Sequence, residues 1–128
     1  MKVRSAVVLS LLTGAAVGAA AVQTLHAQAK PPAYVIGEIT VTNPDAYLKE
    51  YAPISVKALQ DAGGKFLVRG GKTAVIEGDL PKGRIVVIAY ESVEKAQAAF
   101  ASPAYKDARK IGDKYATFHT YAIEGPPQ

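Results

Sequence analysis

The chain predicts a small α+β domain, on three observations. Runs of alternating apolar and polar residues mark strands near both ends of the last hundred residues. Two cap-plus-proline signals, Asn43-Pro44-Asp45 and Ser102-Pro103, start helices between them. Glycine pairs at 63–64 and 70–71 enclose a short apolar strand, so the element order reads strand, helix, strand, strand, helix, strand. That order predicts a ferredoxin-like βαββαβ sandwich, a four-stranded antiparallel sheet with its helices on one face.

Each element has its own local cause. Lys30-Pro31-Pro32 is a stiff lead-in, and Ala33 to Val41 alternates as a strand does. Asn43 caps a helix running toward Ala62, and Pro53 should kink it because its ring removes one backbone hydrogen bond. Gly63-Gly64 ends the helix, since glycine accepts a left-handed backbone. Lys65 to Arg69 is the second strand, after which Thr73 to Glu77 has the composition of a short extra edge strand. Gly78 to Gly83 is a turn-rich connection, and Arg84 to Tyr90 is the most apolar strand. Ser92 caps a helix from Val93 to about Ala101, Ser102-Pro103 opens another from Ala104 to about Ile111, and Tyr115 to Ile123 is the last strand.

The N-terminus carries a second message. Lys2 and Arg4 precede an apolar stretch from Ala6 to Val22, and Ala27-Gln28-Ala29 fits a small-residue cleavage pattern. This predicts a secretory signal peptide over 1–29 and a single domain over 30–128 with its core at about 33–124, in the periplasm or secreted. Cleavage after Ala27 and a retained anchor are the alternatives; a cleaved signal leaves no stable membrane insertion. Losing Lys2 and Arg4 takes Lys+Arg from 15 to 13 against 11 acidic residues, a net charge of only +2. That is too small to point to a nucleic-acid partner, and the strands lack the aromatic signature of RNA-binding sheets. Cysteine is absent, which excludes disulfides, thiolate chemistry and Cys-ligated metals. No phosphate-binding P-loop or dinucleotide glycine motif is present, so no cofactor is expected.

Period-two alternation assigns the strand faces. Val35, Gly37, Ile39 and Val41 suit the helix-covered face with Ala116, Phe118, Thr120 and Ala122. Tyr34, Ile36, Glu38 and Thr40 fall on the other with Tyr115, Thr117, His119, Tyr121 and Ile123. Two helices cover one face only, so the second predicts a homodimer, two sheets enclosing a partly polar cavity. A bulge at either glycine pair would invert the side on which Lys65 and Arg69 lie.

Tyr34-Val35-Ile36-Gly37-Glu38-Ile39, the segment Gly63-Gly64-Lys65-Phe66-Leu67-Val68-Arg69-Gly70-Gly71, Ser102-Pro103-Ala104-Tyr105 and Ala108-Arg109 resemble the domain-of-unknown-function family 1330 over about residues 33 to 124. The resemblance implies a ferredoxin-like fold of the dimeric α/β-barrel superfamily and brings no established activity. An export signal sets this chain apart from the short cytosolic members.

The candidate site residues are few. Arg69 beside Gly70-Gly71 offers charge and backbone amides to a carboxylate or phosphate, and a salt bridge to Glu77 or Glu38 is its structural alternative. Tyr105 and Arg109, four apart on a helix, present a phenol and a guanidinium to one anion, unless the arginine stem simply packs on the ring. Glu38 is a general base if buried, or else an ion-pair partner. Tyr34 and Tyr121 would line the dimer cavity. His119 is the one histidine left after cleavage, so a multi-histidine metal site within one chain is excluded, haem ligation would rest on it alone, and a hydrogen-bonded structural role is its plainer reading. Glu38 and Arg69 as catalytic residues, with Tyr34, Arg69, Tyr105, Arg109, His119 and Tyr121 as ligand contacts, describe a cofactor-independent enzyme or binding protein for a small organic acid or aromatic compound. A non-catalytic exported interaction module is the alternative.

Overall fold

A computed structural model describes residues 30–127, of which Pro31–Pro127 form one compact unit. The predicted signal segment and its cleavage sites lie outside the described residues. The strands are β1 (Ala33–Val41), β2 (Lys65–Arg69), β3 (Arg84–Tyr90) and β4 (Ala116–Glu124), in the antiparallel order β2-β3-β1-β4. The helices are α1 (Pro44–Ala46), continued through a π-helical turn at Tyr47–Tyr51 into α2 (Ala52–Asp61), then α3 (Val93–Ala101) and α4 (Pro103–Gly112). This is the ferredoxin-like order, with the two central strands belonging to different halves of the chain.

Helix boundaries follow the side chains that satisfy free backbone groups. Asn43 Oδ1 accepts from the Ala46 amide at 3.2 Å, and Ser92 Oγ from the Lys95 amide at 3.1 Å. Ser102 closes one helix and opens the next: its hydroxyl donates to Ala99 O at 2.7 Å and accepts from the Tyr105 amide at 3.3 Å. Because Ser102→Ala removes the cap of the Tyr105 amide and leaves Ala99 O only its 3.3 Å bond from the backbone amide of residue 102, it should cost about 1 kcal/mol of unfolding free energy, read as a lower urea midpoint. A midpoint equal to wild type would show water caps both ends equally well. At the end of α2, Gly63 takes φ of 99°, letting Gly63 and Gly64 donate to Gln60 O and Leu59 O at 2.9 Å each.

Two expectations are corrected here. Pro53 does not break a regular helix in its middle. The irregularity precedes it, with the Ala52 amide donating to Tyr47 O across five residues. Pro53 follows in the first turn of α2, where the wider turn before it accommodates the missing amide. Thr73 to Glu77 forms no strand; residues 70–83 run as an irregular excursion with Ile76 93 % exposed. Its composition favours a strand, but it pairs with no strand of the sheet.

The strand faces stand as alternation predicts except at Tyr115, which precedes β4 and packs against the helix-side cluster and not on the open face. Val35, Ile39, Ile88 and Tyr90 are buried under the helices, against Ala58, Leu59, Ala96 and Tyr105 at one end and Tyr47, Tyr51 and Ala108 at the other. On the opposite face Ile36 faces Tyr121 across the ladder, Glu38 faces His119 and Tyr34 faces Ile123. Tyr121 and Ile123 remain about half exposed there.

Candidate functional site

Small residues on the covered face leave room beneath the helices. Gly37, Val86 and Thr120 line the floor of a cavity of about 380 Å³, and Tyr51, Ser55 and Leu59 line it from the helical layer. Phe66, Phe100, Tyr105 and Phe118 make its walls largely aromatic. Tyr51 and Tyr105 bring their hydroxyls within 3.3 Å, and the Tyr51 ring stands edge-on to Phe118 at 5.3 Å. Burial, reinforced by Tyr105, pushes the Tyr51 phenol well above its ordinary pKa, so it is a neutral hydroxyl.

The polar end is cationic. Arg84 opens β3 opposite Ile39, which directs it to the helix side. Its Nη2 donates to Arg69 O at 3.0 Å, and its Nε is buried without a hydrogen-bond partner. A side chain at Gly70, which holds φ of 70°, would run into this guanidinium, so the glycine clears its place. Burial raises the Tyr47 phenol, and the neighbouring Arg84 charge opposes that rise. Arg69 lines the same cavity, with its guanidinium 5.7 Å from the centre of the Phe66 ring. Neither arginine has a carboxylate partner among the described residues, and the cavity lining contains no Asp, Glu or His.

This arrangement divides the sequence-predicted site residues between the two sides of the sheet. β2 is bulged at Leu67, so Phe66 pairs with Ile88 while Arg69 pairs with Val86, and both face the helices. Tyr105 also lines the cavity. Arg109 is not among the lining residues: its guanidinium stacks 3.8 Å over Phe118 and bonds to Asp113 at 3.0 Å, with the Tyr105 hydroxyl also interacting with it. Glu38, His119, Tyr34 and Tyr121 occupy the open face. There His119 Nδ1 lies 3.4 Å from Glu38 Oε2 and its ring 5.9 Å from that of Tyr121. Arg69 and Glu38 therefore do not share one pocket, and the salt bridges expected between Arg69 and Glu38 or Glu77 do not form. Sequence reasoning missed Arg84, although its spacing from Val86 and Ile88 carried the signal. Tyr47 and Tyr51 are buried core aromatics that also border the cavity.

Among the described residues no group of three or more His, Cys, Asp or Glu is placed to hold a metal ion, and no helix is long and apolar enough to cross a membrane.

Residues 32–126 match the family model described as Domain of unknown function (DUF1330). No curated protein matches the sequence. Among solved structures, the chain is similar to a protein of unknown function from Rhodopseudomonas palustris, with a TM-score of 0.59 and 17 % identity over 76 % of this chain and 84 % of that one. It is also similar to SnoaB, a cofactor-independent oxygenase from Streptomyces nogalater, at 0.53 and 16 % over 77 % and 96 %. A third is a protein of unknown function from Bacteroides thetaiotaomicron described as a possible oxidoreductase, at 0.52 and 9 % over 76 % and 100 %. At such identities these likenesses establish a shared ferredoxin-like fold.

Proposed function

The chain belongs to the DUF1330 family, and from that premise we propose that it is an exported homodimer that binds a small aromatic acid in the cavity beneath its helices. The observation that carries this reading is the pair of arginines without carboxylate partners, Arg69 and Arg84, at one end of an aromatic-walled space of about 380 Å³. Such a volume takes a one- or two-ring compound. Aromatic walls favour a flat apolar body, and guanidinium favours a carboxylate. A ligand carboxylate would also supply charge to a polar end that lacks it.

Binding is favoured over turnover by the same lining. Proton abstraction at neutral pH needs a group that is basic there, and the titratable side chains of the lining are tyrosines and arginines. Glu38, the carboxylate proposed from sequence as a base, lies across the sheet, where we assign it with His119, Tyr34 and Tyr121 to the face that meets a second copy. The second reading is cofactor-independent oxygenation, the activity named for SnoaB, favoured by the shared fold alone.

Titration with 2-naphthoate tests the proposal directly, because the chain has no tryptophan to overlap naphthalene emission. Saturable binding is expected, weakened roughly tenfold by Arg69→Gln, the loss of one charge-assisted hydrogen bond. Equal affinity in wild type and variant, or no binding of naphthoate, benzoate or phenylacetate, would sink it. Export is read from the intact mass of protein recovered from the host, which should begin at Lys30 or Gln28; a chain retaining residues 1–29 would refute cleavage.

A further inference from the structure

A second cavity of about 500 Å³ adjoins the first, lined by Gly70, Gly71, Lys72 and Thr73 on one side and by Val41, Pro44, Val68 and Ile85 on the other. The two share Tyr47, Leu48 and Arg84 as common walls. Its lining again contains no carboxylate, and Lys72 has no acidic partner among the described residues. Arg69, Arg84 and Lys72 thus form a row of cations running from the aromatic cavity to the glycine loop, with Arg84 at the junction. Like charges collected without acids, along continuous concave surface, are placed for an anion larger than one carboxylate.

Resting on the cavity reading above, we propose that the ligand is an elongated phosphate monoester. Its aromatic body lies beneath the helices, its linker passes Arg84 between Tyr47 and Leu48, and its phosphate occupies the Gly70–Thr73 groove beside Lys72. A monoester carries close to two negative charges near neutral pH, which suits two cations better than a single carboxylate does. Thr73 adds a hydroxyl donor to the same side. The apolar wall of Val41, Pro44 and Leu48 accounts for the linker, since a purely ionic site would not retain it.

The test compares 4-(2-naphthyl)butyl phosphate, the matching alcohol 4-(2-naphthyl)butanol, and 2-naphthoate, which is too short to reach past Arg84. The phosphate should bind at least tenfold more tightly than the alcohol. Lys72→Gln should remove that advantage and Lys72→Arg restore it, both leaving 2-naphthoate within about twofold of wild type. If 2-naphthoate binds while the phosphate gains nothing, or Lys72→Gln leaves the gain intact, the groove proposal falls and the cavity reading stands. If none of the three binds, both fall. Phosphatidylcholine vesicles doped with phosphatidic acid separate the two sources of such a phosphate. Sedimentation with the vesicles, competed by the soluble ester, assigns a lipid headgroup; protein left in the supernatant assigns a soluble ester.

Discussion

Tyr121→Asp should convert a sedimenting dimer into a monomer at the same protein concentration, with the domain still folded. The open sheet face leaves Tyr121 48 % and Ile123 56 % exposed, and Val68, 40 % exposed, extends the apolar surface to the other edge. Ile36 lies beside Tyr121 on β1, and Val87 beside Ile36 on β3, so the apolar residues run across all four strands. A stable dimer needs roughly 800 Å² from each partner, and one face of a four-stranded sheet is of that order. In a two-fold interface every substitution enters twice, and each buried, unpaired carboxylate costs several kcal/mol. The dimer constant should therefore weaken by at least about a hundredfold, close to 3 kcal/mol. The monomer should tolerate the change, because Tyr121 is half exposed in it. Sedimentation velocity decides the matter: a wild-type monomer at tens of micromolar, or a variant that remains dimeric, would refute this face as the interface.

How much of this was legible in the sequence depends on how local the cause was. The two faces of β1 and β4 could be read because period-two alternation is a property of the strand alone: Val35, Gly37 and Ile39 go one way, Ile36 and Glu38 the other. The helix caps at Asn43, Ser92 and Ser102 were equally local. Arg69 was not readable in this way. The extra residue at Leu67 shifts β2 by one position, and nothing in Lys-Phe-Leu-Val-Arg says where the bulge falls. That single shift moves Arg69 from the company of Glu38 to that of Arg84 and Tyr105, and changes the candidate site from a space between two copies to a cavity within one. Thr73 to Glu77 misled for the complementary reason. Strand composition needs a ladder partner, and partners are set by the whole fold. The π-helical turn at Tyr47–Tyr51 was signalled by Pro53 but displaced from it, since the backbone relieves the missing hydrogen bond one turn earlier. Arg84 was accessible from spacing, but the strand it opens reads so strongly as core that its one charge was passed over.

Alkaline pH should unfold this protein earlier than its ordinary carboxylates and lysines would suggest. Burial raises the phenols of Tyr47, Tyr51 and Tyr90, the last to about 12. Below pH 10 these phenols are neutral in both states and the packing they provide is fully present. Between pH 10 and 12 the unfolded chain loses their protons while the folded chain holds them, so stability falls as pH rises. Tyr90 alone accounts for roughly 2 kcal/mol across that window at about 1.4 kcal/mol per unit, a sizeable share of the 5 to 15 kcal/mol typical of a domain. Its hydroxyl donates to Leu59 O at 3.4 Å, a long bond, so Tyr90→Phe sacrifices little at neutral pH. Urea midpoints measured from pH 8 to about 11.5 should decline steeply above 10 in wild type and less steeply in Tyr90→Phe. A flat wild-type profile, or identical slopes, would refute the account. The same neutrality bears on the cavity. With Tyr51 held as a phenol, its charge at physiological pH comes from arginine and not from tyrosinate, which is why an anion and not a cation is its expected guest.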